Sequence, residues 1–223
     1  MRGENASLSN EVARLQDENR RLHEALDLLT EEPFTTLPTT VFDPKISYHS
    51  LPARVINNSV SSAHNYITLN KGRADGVFPD MGVVSETGIV GVVAAVSKHY
   101  STVISVLNRK MKVSSKLKTG EYFGSLSWDD VSQPGYAYLN DMPRHAVFAK
   151  GDTVITSGFS TIFPEGIIVG TVEEETKQAT DNFYRLKVKL ATDFHSLYHV
   201  RVLIPQDADE RINLERNSAS NDN

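Results

Sequence analysis

Between residues 53 and 205 the chain is written as short apolar or alternating runs, each cut off by Gly, Pro, Asn or Asp before it could build a helix. A two-residue period fits a pleated strand, and the Gly/Pro punctuation marks where each strand must end. The spacing predicts strands at Ala53–Ser59, Tyr66–Asn70, Gly82–Ser85, Ile89–Val96, Thr102–Leu107 and Lys112–Ser115. A second set falls at Tyr122–Trp128, Ala137–Asn140, Thr153–Thr156, Ile167–Val172, Phe183–Ala191 and His199–Ile204. About six strands twice over, with no helix between them, predict two small antiparallel β-barrels, because closure leaves no long unpaired edge. The two sets place a first barrel at 53–115 and a second at 116–205. His199–Ile204 is open to closing either one.

The preceding segment, 4–32, follows a different rule. Leu8, Val12, Leu15, Asn19, Leu22, Leu26 and Leu29 recur at alternating steps of four and three, with mostly polar residues between. That is a heptad seam with a at 12, 19 and 26 and d at 8, 15, 22 and 29. So narrow an apolar stripe cannot be buried in a globule, but two such helices can close it together. Asn19 at an a position is satisfied only by its counterpart at the same level, which favours a parallel, in-register homodimer. A single amphipathic helix lying on the β region is the alternative. Pro33, Pro38, Pro44 and Pro52 then make 33–52 a Pro/Thr linker, and the Asn/Ser-rich residues 206–223 read as a disordered tail. The fold class is therefore mainly β, an N-terminal coiled-coil helix followed by two barrels.

Charge and composition exclude several functions. A net charge of −5 gives no basic surface for nucleic acid. The absence of cysteine removes disulfides, thiolate metal sites and cysteine nucleophiles. No run of apolar residues is long enough to span a bilayer, and Met1–Arg2–Gly3 lacks the apolar centre of a signal peptide.

Gly151–Gly170 is where chemistry would be sought. Asp152, Ser157 and Gly158, with histidines at 49, 64, 99 and 145, supply the pieces of a serine-protease triad on the two-barrel fold that chymotrypsin-like enzymes use. The Gly-Asp-Ser-Gly and Ala-Ala-His-Cys surroundings of that family are missing, so these residues read as turn formers, with no catalytic group assigned. His195 and His199 have helical metal-ligand spacing but lie in strand context, about 13 Å apart if extended, with no third ligand, so no metal or cofactor is expected. Arg109, Lys110, Lys112, Lys116 and Lys118 are the wet face of a hairpin if Val113 and Leu117 point inward, or a site for an acidic partner or anionic lipid. Tyr136 and Tyr138, near Trp128, read as core. Two stretches echo one another: Val77–Gly82 with Ile162–Gly166, and Gly88–Val93 with Gly166–Val172. Duplication and convergent turn chemistry would each produce this.

Thr68–Leu69–Asn70–Lys71–Gly72 with Asp75–Gly76–Val77, then Gly88–Ile89–Val90–Gly91–Val92–Val93, resemble the first signature of the MreC family of bacterial rod-shape-determining proteins. Gly151–Asp152, Thr156–Ser157–Gly158, Phe163–Pro164–Glu165–Gly166 and Val169–Gly170 resemble its second. The departure is Ile168, where the family often has proline. The resemblance implies a non-enzymatic scaffold of the cell-wall elongation machinery, in the periplasm and anchored to the inner membrane by an N-terminal segment absent from this chain. It also implies partners: the elongation-specific class B penicillin-binding protein, MreD and MreB, besides self-association that could extend to filaments. A periplasmic adaptor of a membrane transport complex, and a degenerate protease, are the other readings.

Overall fold

The computed structural model describes residues 49–160, 162–176 and 183–204, with Arg14 and Arg21. Of the segment Met1–Pro33, Arg14 and Arg21 are helical and exposed. The seam residues Leu8, Val12, Leu15, Asn19, Leu22, Leu26 and Leu29, most of the linker and the tail lie outside the described residues.

Twelve strands follow: β1 (His49–Asn58), β2 (His64–Leu69), β3 (Gly82–Val84), β4 (Ile89–Val96), β5 (Ser101–Asn108), β6 (Lys112–Leu117), β7 (Phe123–Ser127), β8 (Tyr136–Pro143), β9 (Thr153–Thr156), β10 (Ile168–Thr176), β11 (Phe183–Leu190) and β12 (His199–Ile204). They close into two antiparallel barrels, one ordered β1-β12-β3-β4-β5-β2 and the other β10-β11-β8-β7-β6-β9. Alternation decides which side chains fill them. In β11, Leu186, Val188 and Leu190 turn inward while Arg185, Lys187 and Lys189 stand outside. In β6, Val113 and Leu117 are buried between outward Lys112 and Lys116, the arrangement of a wet hairpin face.

Two boundaries differ from the sequence reading. Lys112–Ser115, assigned to the first barrel, opens the second, because β6 pairs with β7 and β9. Its place in the first barrel is taken by β12, which pairs with β1 and β3. Local pattern cannot reveal this, since β6 and β12 carry the same alternation and only their partners differ. The linker is also shorter than 33–52, because β1 begins at His49 and includes Pro52. β1 pairs with β12 from His49 but with β2 only from Val55, so Pro52 sits where the strand has one neighbour. A missing N–H is tolerated there.

With β6 matched to β12, and β7–β11 to β1–β5 in order, every neighbour relation in one barrel recurs in the other. The match extends to detail. Val83 faces Gly91 as Val154 faces Gly170, and a register shift follows Val93 in β4 and Val172 in β10. The echo of Gly88–Val93 with Gly166–Val172 therefore falls on equivalent strands. The echo of Val77–Gly82 with Ile162–Gly166 does not, since the first precedes β3 and the second lies between β9 and β10.

Candidate functional site

Equivalent turns carry the two glycine-rich signatures, and they have been used differently. Ser85 N–H donates to the Gly88 carbonyl (2.8 Å), and the Gly88 N–H donates back to Ser85 Oγ (3.1 Å). Thr156 and Ile167 repeat the pair, at 2.8 Å for the backbone bond and 3.0 Å for Ile167 N–H to Thr156 Oγ1. A buried hydroxyl thus braces the hairpin mouth in each barrel, satisfying an N–H that would otherwise be orphaned. Between the braces lie only Glu86 and Thr87 in the first barrel, against residues 157–166 in the second.

The longer loop crosses to the first barrel. A Cβ on Gly82 would come within 2.6 Å of the Ile162 carbonyl oxygen and 2.9 Å of the Phe163 ring. A Cβ on Gly88 would come within 2.6 Å of the Ile168 carbonyl oxygen. Between these contacts, Thr192 Oγ1 donates to the Ile89 carbonyl (3.0 Å) and lies 2.9 Å from Ser85 Oγ. Thr192 is on the crossover from β11 to β12, which is tied to β1 by Asn58 Nδ2 donating to the Phe194 carbonyl (2.6 Å). Glycines allow the backbones to touch, and buried hydroxyls satisfy what that contact covers. Gly82, Ser85 and Thr192 carry this joint; sequence assigned no role to Ser85 or Thr192, and Gly82 entered it only at a strand start and the end of an internal echo. A hydroxyl immediately after an apolar strand pair, repeated at 85 and 156, was the available signal.

The remaining signature residues are dispersed. Gly72 N–H donates to Asp75 Oδ2 (2.9 Å), Lys71 Nζ reaches Asp75 Oδ1 (3.2 Å), and the 3₁₀ turn Arg73–Asp75 ends at Gly76. Asp152 Oδ2 accepts from Ala149 N–H (2.8 Å) beside Gly151. Ser157 Oγ donates to Ser114 Oγ (2.7 Å) and accepts from Phe159 N–H. The Asp152 bond closes a local turn, and the Ser157 bond ties the start of its loop to Ser114 of β6. Thr156 Oγ1 donates to the Pro164 carbonyl, which pins the loop shortly before Gly166. At Gly158 φ is +76°, and a Cβ there would lie 2.9 Å from Glu165 Cβ, so only glycine fits. Gly91 and Gly170 sit at equivalent points, where a Cβ would collide with the Ile104 and Lys189 carbonyl oxygens respectively. Among the described residues no group of three His, Asp or Glu is placed to hold a metal, and no helix is long and apolar enough to cross a membrane.

Outside the joint, the second barrel presents a polar and aromatic face. Tyr136 and Tyr138, read as core, stand outward, while Trp128 is 1% exposed. Alternation around buried Ala137 and Leu139 turns the two tyrosines to the outer face of the barrel, where they are half-buried. Arg185 Cζ lies 3.8 Å from the Tyr138 ring centroid, and Lys187 Nζ lies 4.5 Å from that of Tyr136. Arg185 also pairs with Asp129. Nearby, Ser132 holds the Asp130 carboxyl below the usual carboxylate range.

The family model for "Rod shape-determining protein MreC, barrel core" matches residues 55–204. The cell shape-determining protein MreC of Listeria monocytogenes is 32% identical over 201 residues, covering 89% of this chain and 63% of that protein. The chain spans 63%, 50% and 44% of the length of three curated relatives it matches. A solved MreC structure from Listeria monocytogenes aligns with a TM-score of 0.65 at 32% identity, covering 90% of each chain. A complex between a penicillin-binding protein and MreC from Helicobacter pylori shares the fold, with a TM-score of 0.58 at 18% identity, covering 71% of this chain and 99% of that one.

Proposed function

Because the chain belongs to the MreC family of rod shape-determining proteins, we propose that it is a non-enzymatic scaffold of the wall-elongation machinery that binds a class B penicillin-binding protein. Family membership carries the reading, and the Helicobacter pylori complex supports the partner. The mechanism is selective binding: a scaffold that holds the synthase's active conformation more tightly raises its population, and only by that difference in affinity. Two barrels locked through Gly82, Gly88 and Thr192 suit the role, since a rigid surface loses little freedom on binding.

In this reading the protein works in the periplasm, held at the inner membrane, with MreD and MreB as further partners. It dimerises in parallel through Leu8, Val12, Leu15, Asn19, Leu22, Leu26 and Leu29. Ser157→Ala should still restore rod shape to cells lacking the protein, and the full chain should co-purify its cognate synthase. Loss of shape from a folded Ser157→Ala protein that keeps the synthase would overturn the non-enzymatic role.

A further inference from the structure

The six strands of the first barrel contain no aspartate or glutamate, in a chain whose net charge is −5. Their basic side chains are His49, Arg54, His64, His199 and Arg201, and four of these five lie on the paired strands β1 and β12. Leu51, Ala53, Val200 and Val202 point into the barrel, so Pro52, Arg54, His199 and Arg201 form its outer wall there. Arg54 is opposite His199 and Pro52 is opposite Arg201, which puts the three basic groups in one patch. Arg201 Nη1 donates to Ser50 Oγ (3.3 Å) on the same wall. Acids of the flanking turns are engaged or lie elsewhere: Asp75 pairs with Lys71, Asp193 accepts from Ser196 Oγ and His195 N–H, and Asp80 is bonded through its N–H to Val93 of β4. Glu86 is the exception, since carrying the β12–β3 register two residues past Arg201 and Val84 brings it level with His199.

Beyond the patch the wall ends in a cleft of about 260 Å³ between the end of β1 and the crossover to β12, lined by Val55, Ile56, Phe194, Leu197 and Tyr198. Ile56 and Tyr198 are 50% and 52% exposed. The volume is below that of an ordinary small-molecule pocket and suits one or two apolar side chains. From Ile204, at the other end of β12, the cleft lies about 20 Å back along the strand, with Arg201 at about 10 Å and His199 at about 17 Å.

We propose that residues 205–214, which follow β12 and lie outside the described residues, fold back over this wall and cover it. The segment runs in the same chemical order as the wall. After a turn at Pro205–Gln206, Asp207 falls over Arg201, Asp209 and Glu210 fall over His199 and Arg54, and Arg211 comes level with Glu86. Ile212 and Leu214 then reach the cleft. Eight extended residues from Pro205 to Ile212 span about 26 Å, enough for the return of about 20 Å and the turn. Tethering selects this occupant, because attachment at Ile204 holds the acids over the patch at a high effective concentration, ahead of an outside anion of the same charge. Each exposed ion pair is worth only about twofold, so the apolar end in the cleft is needed as well. An acidic partner from outside would have to displace the segment, which makes the wall a surface that opens only when the segment leaves.

The chain has no cysteine, so Ala208→Cys in the full chain carries a single nitroxide label, with Ala219→Cys, beyond the docking segment, as the reference. The electron paramagnetic resonance line shape should show the label at 208 restricted at low salt and freer at high salt, which screens the pairs. Asp207→Asn, Asp209→Asn and Glu210→Gln together should shift the restricted-to-free ratio about eightfold toward free, at about twofold per pair. Arg54→Gln with Arg201→Gln should shift it about fourfold. Lys118→Gln with Lys189→Gln, an equal charge removal from exposed positions of the second barrel, should leave it unchanged. Ile212→Ser with Leu214→Ser should free the label at both salts. The acid triple alters no described residue, so it decides the matter even where the arginine pair destabilises β1. A label at 208 as free as one at 219 in low salt would overturn the proposal. So would a restricted label that ignores the acid triple, or one released equally by the Lys118 and Lys189 changes.

Discussion

Thr156→Val asks whether a hydroxyl, rather than packing, holds the second barrel's long hairpin loop. The side chain is 1% exposed and does two jobs, donating to the Pro164 carbonyl and accepting from Ile167 N–H at 3.0 Å. Valine has the same shape and does neither. Each buried group left unpaired costs about 1–3 kcal/mol, and the added methyl returns about 1 kcal/mol. The net loss should be about 3 kcal/mol, or about 6–12 °C in Tm for a chain of this size. Trp128, the sole tryptophan and buried in the same barrel, reports the transition by fluorescence in a urea titration. Thr156→Ser keeps both bonds and loses one methyl, so it should cost about 1 kcal/mol. A valine variant as stable as wild type, or more stable than the serine variant, would refute the argument.

Further outcomes follow from the same contacts. Gly88→Ala puts a methyl 2.6 Å from the Ile168 carbonyl oxygen; a loss of about 1–3 kcal/mol in urea unfolding is expected, with faster proteolysis at the barrel joint. Gly170→Ala should cost at least as much, because the clash is with backbone inside a paired strand. Equal stability to wild type would show that β10 and β11 can part without loss. The Ser196 hydroxyl and the His195 backbone N–H hold the Asp193 carboxyl below its ordinary range. Its folded pKa is depressed, so its contribution is present above the unfolded value of about 3.9 and is lost as pH falls through the lowered folded pKa. The stability gap between wild type and Asp193→Asn should therefore be flat above about pH 5 and close below about pH 4. Asn19→Leu should strengthen self-association and admit other oligomers in sedimentation velocity; weaker association would place Asn19 off the seam.

Legibility in the sequence varied with the range of the interaction. Ile89–Val96, Thr153–Thr156 and His199–Ile204 were bounded by sequence as the structure bounds them, because alternation and turn residues act within a few positions. Tyr136 and Tyr138 were misread, since an aromatic in a strand is inside or outside according to a phase that one residue of register reverses. Ser85 and Thr156 looked like ordinary strand-end hydroxyls until their partners across the hairpin were visible.

The sequence by itself determined that the chain makes short strands closed by turns, that these suit two barrels, and that Gly151–Gly170 is a run of corners. Those conclusions rest on local backbone preference and two-residue periodicity, which need no partner. Tertiary structure alone decided that β12 completes the first barrel while β6 opens the second, and that Ile162 and Phe163 reach across to Gly82. It also decided that Arg54 of β1 comes opposite His199 of β12 on one outer wall. Pairing between distant strands depends on which closure leaves no edge and no unmet backbone group, a property of the whole chain that no single segment carries.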